Sequence, residues 1–199
     1  MMDANEPCVM IIDDDESVRE ALEFLMKSVS MTAKTYSSAM EFIDEFNPQQ
    51  RGCIVSDIRM PGMSGLAMQE ELNRRRAWQP IIFITGHGDI AMAVDAIKNG
   101  AADFLTKPFR DQDLLDAVNK ALAVNESKLN ELDSQEEVMQ RLKTLTARER
   151  QVLELVVIGK ANKVIADQLK LSPRTVEVHR SHMMEKMQVR TVAELVKLV

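Results

Sequence analysis

Between residues 9 and 123, five short apolar runs alternate with five segments of helical period, and no other feature of the chain narrows its fold as much. Alternating strand and helix signals are the pattern of an α/β domain built around a parallel sheet. The predicted strands are 9–12, 33–36, 53–56, 81–84 and 103–105. The predicted helices run from about 17 to 28, 38 to 46, 65 to 75, 89 to 99 and 111 to 123. In the first helix Val18, Ala21, Leu22, Leu25 and Val29 fall at 3.6-residue spacing, which gives one face to the sheet. Cys8 and Cys53 sit inside apolar runs without a neighbouring His or Cys at ligand spacing, so they read as core filler.

Polar residues collect where these strands end. Asp13 and Asp14 follow the first, Asp57 the third, Thr85 the fourth, and Lys107 with Pro108 the fifth. Open parallel sheets bind ligands beyond the carboxyl ends of their strands, where strand order reverses. Three carboxylates gathered there would push one another toward protonation unless a cation joined them. A hard divalent ion such as Mg2+, which takes oxygen ligands and keeps several waters, suits such a cluster. Asp15, the last of the triplet "DDD", reads as the N-cap of the following helix.

Four motifs in order, "DDD", "SDIRMPGMSG", "ITGHGD" and "FLTKPF", resemble the receiver domain of bacterial response regulators over about residues 7 to 124. The resemblance implies a five-stranded, flavodoxin-like (CheY-like) sheet. It makes Asp57 the phosphoacceptor for a cognate histidine kinase. Asp14, Asp57 and the backbone carbonyl of Arg59 would hold Mg2+, with Asp13 reaching it through water. An acyl phosphate adds about two negative charges and three acceptor oxygens. Lys107 would pair with it and the Thr85 hydroxyl would hydrogen-bond it. Phe104 would be the switch aromatic, turning inward as Thr85 moves. Lys107-Pro108 would be a cis peptide, and His87 a loop residue near the site.

The charge divides the chain. Residues 1–124 carry a net −8, residues 125–143 a net −2 and residues 144–199 a net +4, so an acidic front precedes a basic tail. Residues 125–143 are polar and free of Pro and Gly, which predicts a stiff helical linker. The tail restarts with "TARE" and its last helix begins with "TVAE", both at capping-box spacing. Gly159 closes one helix, "NKVIADQL" makes a second, and Ser172 with Pro173 opens a third, so four compact helices are expected.

In that third tail helix Val176, Met183 and Met187 share one face, while Arg174, Glu177, Val178, Ser181, His182 and Glu185 lie opposite. A short helix and a three-residue turn precede it, which is the arrangement that lays a recognition helix in the major groove of DNA. The segment from "LTARER" to Leu198 resembles the LuxR-type helix-turn-helix domain. With the receiver-like front, the chain is similar to NarL/FixJ-type transcriptional response regulators, in motif wording to the FixJ-like subgroup. The resemblance divides it into a receiver at 1–124, a linker at 125–143 and an all-α DNA-binding domain at 144–199. Glu177, Val178 and Ser181 would face base edges, with His182 beside them. Lys163, Arg174, Arg180 and Lys186 would meet phosphates, which anchor without specifying sequence. Double-stranded DNA, a histidine kinase, RNA polymerase and, after phosphorylation, a second copy of the chain are the implied partners.

Two other functions compete. "DDDES" approximates the D-x-D start of haloacid-dehalogenase-type phosphatases, with Asp13 as nucleophile and Asp15 as acid/base, but the chain lacks their further acidic motifs and ends in a basic helical unit. A constitutive DNA binder with an unphosphorylated receiver would not need Asp13, Asp14, Asp57, Thr85 and Lys107 together. No stretch approaches the roughly 20 apolar residues that span a bilayer, and the N-terminus lacks a basic region followed by an apolar one. A soluble, cytoplasmic protein without a membrane partner is therefore expected.

Overall fold

A computed structural model describes residues 6–86 and 90–199. The chain forms two compact units, one reaching to Leu129 and the other starting at Asn130.

The first unit alternates strand and helix: β1 (Cys8–Ile12), α1 (Glu16–Ser28), β2 (Thr32–Tyr36), α2 (Ala39–Glu45), β3 (Gly52–Asp57), α3 (Gly65–Arg74), β4 (Ile81–Thr85), α4 (Ile90–Lys98), β5 (Asp103–Thr106) and the start of α5 (Asp111–Lys143), whose residues from Asn130 on belong to the second unit. The five strands make one parallel sheet in the order β2-β1-β3-β4-β5. Strand side chains alternate between faces, so β1 serves two cores. Met10 and Ile12 pack with Phe42, Ile54, Met68 and Phe83 on the side of α2 and α3. Val9 and Ile11 pack with Leu22, Met26, Val55, Ile84 and Val118 on the side of α1 and α5. Burial on both faces is why β1, β3 and β4 read as apolar runs. Cys8 and Cys53 are free and buried within them.

Local chemistry sets the helix starts. Asp15 caps α1 by accepting from the Ser17 N–H, as its place in the triplet predicts, and Ser38 and Ser64 cap α2 and α3 in the same way. The order reverses at β1, which has β2 on one side and β3 on the other, so the crevice for a ligand opens at the carboxyl ends of β1 and β3. Asp13 follows β1 directly, and Asp57 is the last residue of β3.

One boundary differs from expectation. A helix ending near 123 followed by a separate linker is replaced by a single helix to Lys143, because residues 124–143 hold no breaker and are rich in helix-forming Glu, Lys, Leu and Gln. Asn125, inside this helix, is buried and accepts at 3.1 Å from the backbone N–H of Gly52.

The second unit adds α6 (Ala147–Val157), α7 (Asn162–Leu169), α8 (Pro173–Lys186) and α9 (Val192–Leu198). Thr146 with Glu149 and Thr191 with Glu194 form complete capping boxes, and Ser172 caps α8 ahead of Pro173. Lys170, at φ 55°, ends α7 in the left-handed conformation and turns the chain into α8. Val176, Met183 and Met187 are fully buried with Val152, Ile165 and Leu195, and Val138 and Leu142 from the end of α5 pack against them. No helix among the described residues is long and apolar enough to cross a membrane.

Candidate functional site

The crevice gathers residues that lie far apart in sequence. Asp13, Asp14 and Asp57 each offer a carboxylate oxygen within 4.8 Å of the others. Asp13 is only 1% exposed. Its Oδ1 accepts from the Asp15 N–H at 2.9 Å and its Oδ2 from Lys107 Nζ at 3.0 Å. Asp57 is held alike: Oδ1 accepts from the Arg59 N–H at 3.0 Å, and Oδ2 from Lys107 Nζ at 2.9 Å. One ammonium thus joins the two carboxylates and offsets part of their repulsion.

The electrostatics follow from burial. Desolvation holds the Asp13 carboxyl above its ordinary range, against the opposing pull of the Asp15 N–H and Lys107. Burial alone would depress Lys107, but its hydrogen bonds to Asp57 and Asp13, with the attraction of both charges, raise it above the usual lysine value. The ammonium is therefore fully charged at neutral pH. Three hard carboxylate oxygens open to solvent on the Asp14 side form a donor set that fits a hard divalent cation and is wrong for a soft one.

The other residues expected here lie around the cluster. Thr85 ends β4, is fully buried, and its backbone carbonyl accepts from the Lys107 N–H at 2.7 Å. Its hydroxyl reaches the Gly86 carbonyl at 3.4 Å, a weak bond that leaves it available to a better acceptor. Phe104, on β5, is half-buried against the core on the α2 and α3 side. The Lys107-Pro108 peptide is cis. Arg59 is exposed, and its backbone N–H points to Asp57. His87 lies outside the described residues. Asp15, the acid/base of the phosphatase reading, has one carboxylate oxygen capping α1.

In the second unit, α8 exposes Arg174, Glu177, Val178, Ser181 and His182, and Lys163 is exposed on α7. Arg180 is half-buried and donates to Asn162 Oδ1 at 2.8 Å, which ties α8 to the start of α7; its other guanidinium N–H groups are unused among the described residues.

Lys186, at the end of α8, is half-buried, and its Nζ donates at 2.7 Å to Oε2 of Glu149, whose side chain is 4% exposed. The same oxygen accepts from the Thr146 N–H at 2.8 Å. Lys186, then the Thr146 groups, pull the Glu149 carboxyl down to about 2. Sequence spacing showed Glu149 as a capping residue but held no signal for a partner 37 residues away.

Because the folded-state value is depressed, this pair's contribution is complete above the ordinary carboxyl value of 4.5 and fades as pH falls toward about 2. Glu149→Gln is expected to lose about 2 kcal/mol at pH 7, typical of a hydrogen bond to a charged group. Denaturant titrations should show the difference shrinking at pH 3, and equal stability at pH 7 would contradict the assignment.

A doubly wound parallel sheet with a lysine-bridged acidic cluster at its switch point, in one chain with a helix-turn-helix unit, defines a response regulator: a receiver joined to a DNA-binding domain. The chain belongs to the NarL/FixJ-type response regulators of two-component systems. Residues 9–119 match the response regulator receiver domain, and residues 143–199 match the luxR family of bacterial regulatory proteins. It is 48% identical to the transcriptional regulatory protein FixJ of Azorhizobium caulinodans over 96% of its length and 90% of that protein. To the response regulator protein TodT of Pseudomonas putida it is 43% identical, over 96% of its own length and 84% of TodT's. Among solved structures, the response regulator StyR aligns with a TM-score of 0.89 at 45% identity, covering 97% of this chain and 98% of StyR. Full-length FixJ from B. japonicum aligns at 0.60 with 37% identity, covering 96% and 95%. The two matched domains imply a histidine kinase as partner and DNA as ligand. The family is one of transcriptional regulators rather than of typical enzymes.

Proposed function

We propose that Asp57 accepts a phosphoryl group from a cognate histidine kinase and that this switches the chain to sequence-specific DNA binding. The observation that carries this reading is Asp57 itself: its carboxylate sits at the switch point of the sheet, beside two further carboxylates and bonded to Lys107. An Asp57 oxygen attacks phosphorus as the kinase's histidine nitrogen leaves, forming an acyl phosphate. Lys107 pairs with the charge left on the phosphoryl oxygens, and the Thr85 hydroxyl hydrogen-bonds one of them. Asp14, Asp57 and the Arg59 carbonyl would hold Mg2+, with Asp13 reaching it through water, and the ion would supply positive charge to the transferring group. The chain's own catalysis is limited to this transfer and its hydrolysis.

In this reading residues 1–124 are the receiver, 125–143 the linker and 144–199 the DNA-binding domain. Phe104 turns inward once Thr85 has moved, and the changed surface of α4, β5 and α5 pairs with a second copy. Dimerisation links two weak DNA contacts into one strong one. It matters here because Glu177 lowers the positive potential on the exposed face of α8. Glu177, Val178 and Ser181, with His182, read bases; Lys163, Arg174, Arg180 and Lys186 meet phosphates. The bound dimer recruits RNA polymerase and activates transcription in the cytoplasm. Borohydride reduction after treatment with acetyl phosphate and Mg2+ tests the central residue. The reduced side chain is expected at position 57, and its appearance at Asp13 would restore the phosphatase reading.

A further inference from the structure

The three carboxylates of the acidic cluster are not held alike. Asp13 and Asp57 each have one oxygen on a backbone N–H and the other on Lys107. The Asp14 carboxylate is exposed and accepts no hydrogen bond among the described residues. Nothing attached to that carboxylate aims it, so its place in the cluster depends on the backbone beneath it.

That backbone is held by one side chain. Arg19, on the first turn of α1, donates from Nη1 to the carbonyl oxygen of Asp13 at 2.8 Å and to that of Asp14 at 3.0 Å. Its own N–H bonds the Asp15 carbonyl at 3.1 Å, so this residue joins the start of the helix to every member of the triplet. Arg19 is half-buried, and its bond to the Asp13 carbonyl is partly shielded from solvent, which strengthens it. The two N–H groups of Nη1 are fixed in the guanidinium plane and can serve two carbonyls at once, whereas an ammonium on a flexible stem holds them less firmly.

We propose that Arg19 is a positioning residue for the divalent-cation site: it clamps the Asp13 and Asp14 carbonyls so that the otherwise unsupported Asp14 carboxylate meets the cation. This rests on the proposed Mg2+ site. Outer-shell residues that orient metal ligands typically change metal affinity by about 10- to 100-fold when lost.

The test is calorimetric titration of the full chain with Mg2+ alone, comparing wild type, Arg19→Gln and Arg19→Lys, with the unfolding temperature of each recorded without the cation. Arg19→Gln is expected to bind Mg2+ about 10- to 100-fold more weakly, and Arg19→Lys to fall between it and wild type. Saturating Mg2+ should then restore phosphate incorporation from acetyl phosphate. Unchanged Mg2+ affinity in Arg19→Gln, even with a lowered unfolding temperature, would reduce Arg19 to a purely structural role and overturn the proposal. Should Arg19→Gln not fold, Arg19→Lys decides: weaker binding than wild type supports the clamp, and equal binding overturns it. A wild type that does not bind Mg2+ would overturn the metal site itself.

Discussion

Asp57→Asn is expected to incorporate no phosphate from acetyl phosphate or from a kinase, while keeping its fold. Asparagine preserves the shape of the side chain, and its carbonyl oxygen can still accept from the Arg59 N–H that holds Oδ1. Lys107 loses one carboxylate partner but keeps Asp13, which leaves no buried cation without a counter-charge. What disappears is the nucleophile, since an amide is uncharged and its nitrogen lone pair is delocalised. The measurement is hydroxylamine-labile label bound to the full chain, alongside thermal unfolding. Wild-type labelling in Asp57→Asn would move the phosphoacceptor elsewhere in the cluster, with Asp13 the first candidate.

A second substitution should act on the scaffold. Gly52 opens β3 at φ 138°, a backbone conformation that L side chains rarely adopt, and it pairs in register with Cys8 of β1. A Cβ at this position would overlap the Cys8 carbonyl oxygen. That oxygen is backbone in a central strand, so relief would require β1 and β3 to part. The Gly52 N–H also donates to buried Asn125, whose amide would be left further unsatisfied by any shift. Gly52→Ala is therefore expected to lose about 4 kcal/mol or more, at the extreme of single-site effects, or to fail to fold. Gly100 is the control: at φ 95° it has nothing near a Cβ, so Gly100→Ala should cost only about 1–2 kcal/mol for the left-handed backbone. Urea titration of both variants separates the two costs, and equal losses would refute the overlap argument.

The central strands β1, β3 and β4 were legible because each is buried on both faces and so appears as a continuous apolar run, and Asp15, Ser172 and the two Thr–Glu boxes announced helix starts through contacts only a few residues long. The acidic cluster was legible in another way. Asp13, Asp57 and Lys107 stand 44 and 50 residues apart, and only the rule that parallel strands bring their carboxyl ends together, with the resemblance of four motifs, joins them. Long-range polar contacts left no such trace. Asn125 looks like the polar break after a helix but is buried because it satisfies Gly52, 73 residues earlier. The bond between Lys186 and Glu149 is visible only once α6 and α8 pack. Arg19 carries no signal beyond being one of the two cations, with Lys27, on a charged helix, since its acceptors are backbone carbonyls.

The account turns on a coupling: phosphate on Asp57 must change how the tail binds DNA. The direct measurement is an electrophoretic shift titration of wild type and Asp57→Asn, each with and without acetyl phosphate at fixed Mg2+ and salt, on a duplex enriched for binding by the phosphorylated chain. Affinity should tighten by about tenfold or more, within the usual range of such couplings, for phosphorylated wild type alone. The same affinity under all four conditions would contradict the claim that Asp57 controls the DNA-binding unit.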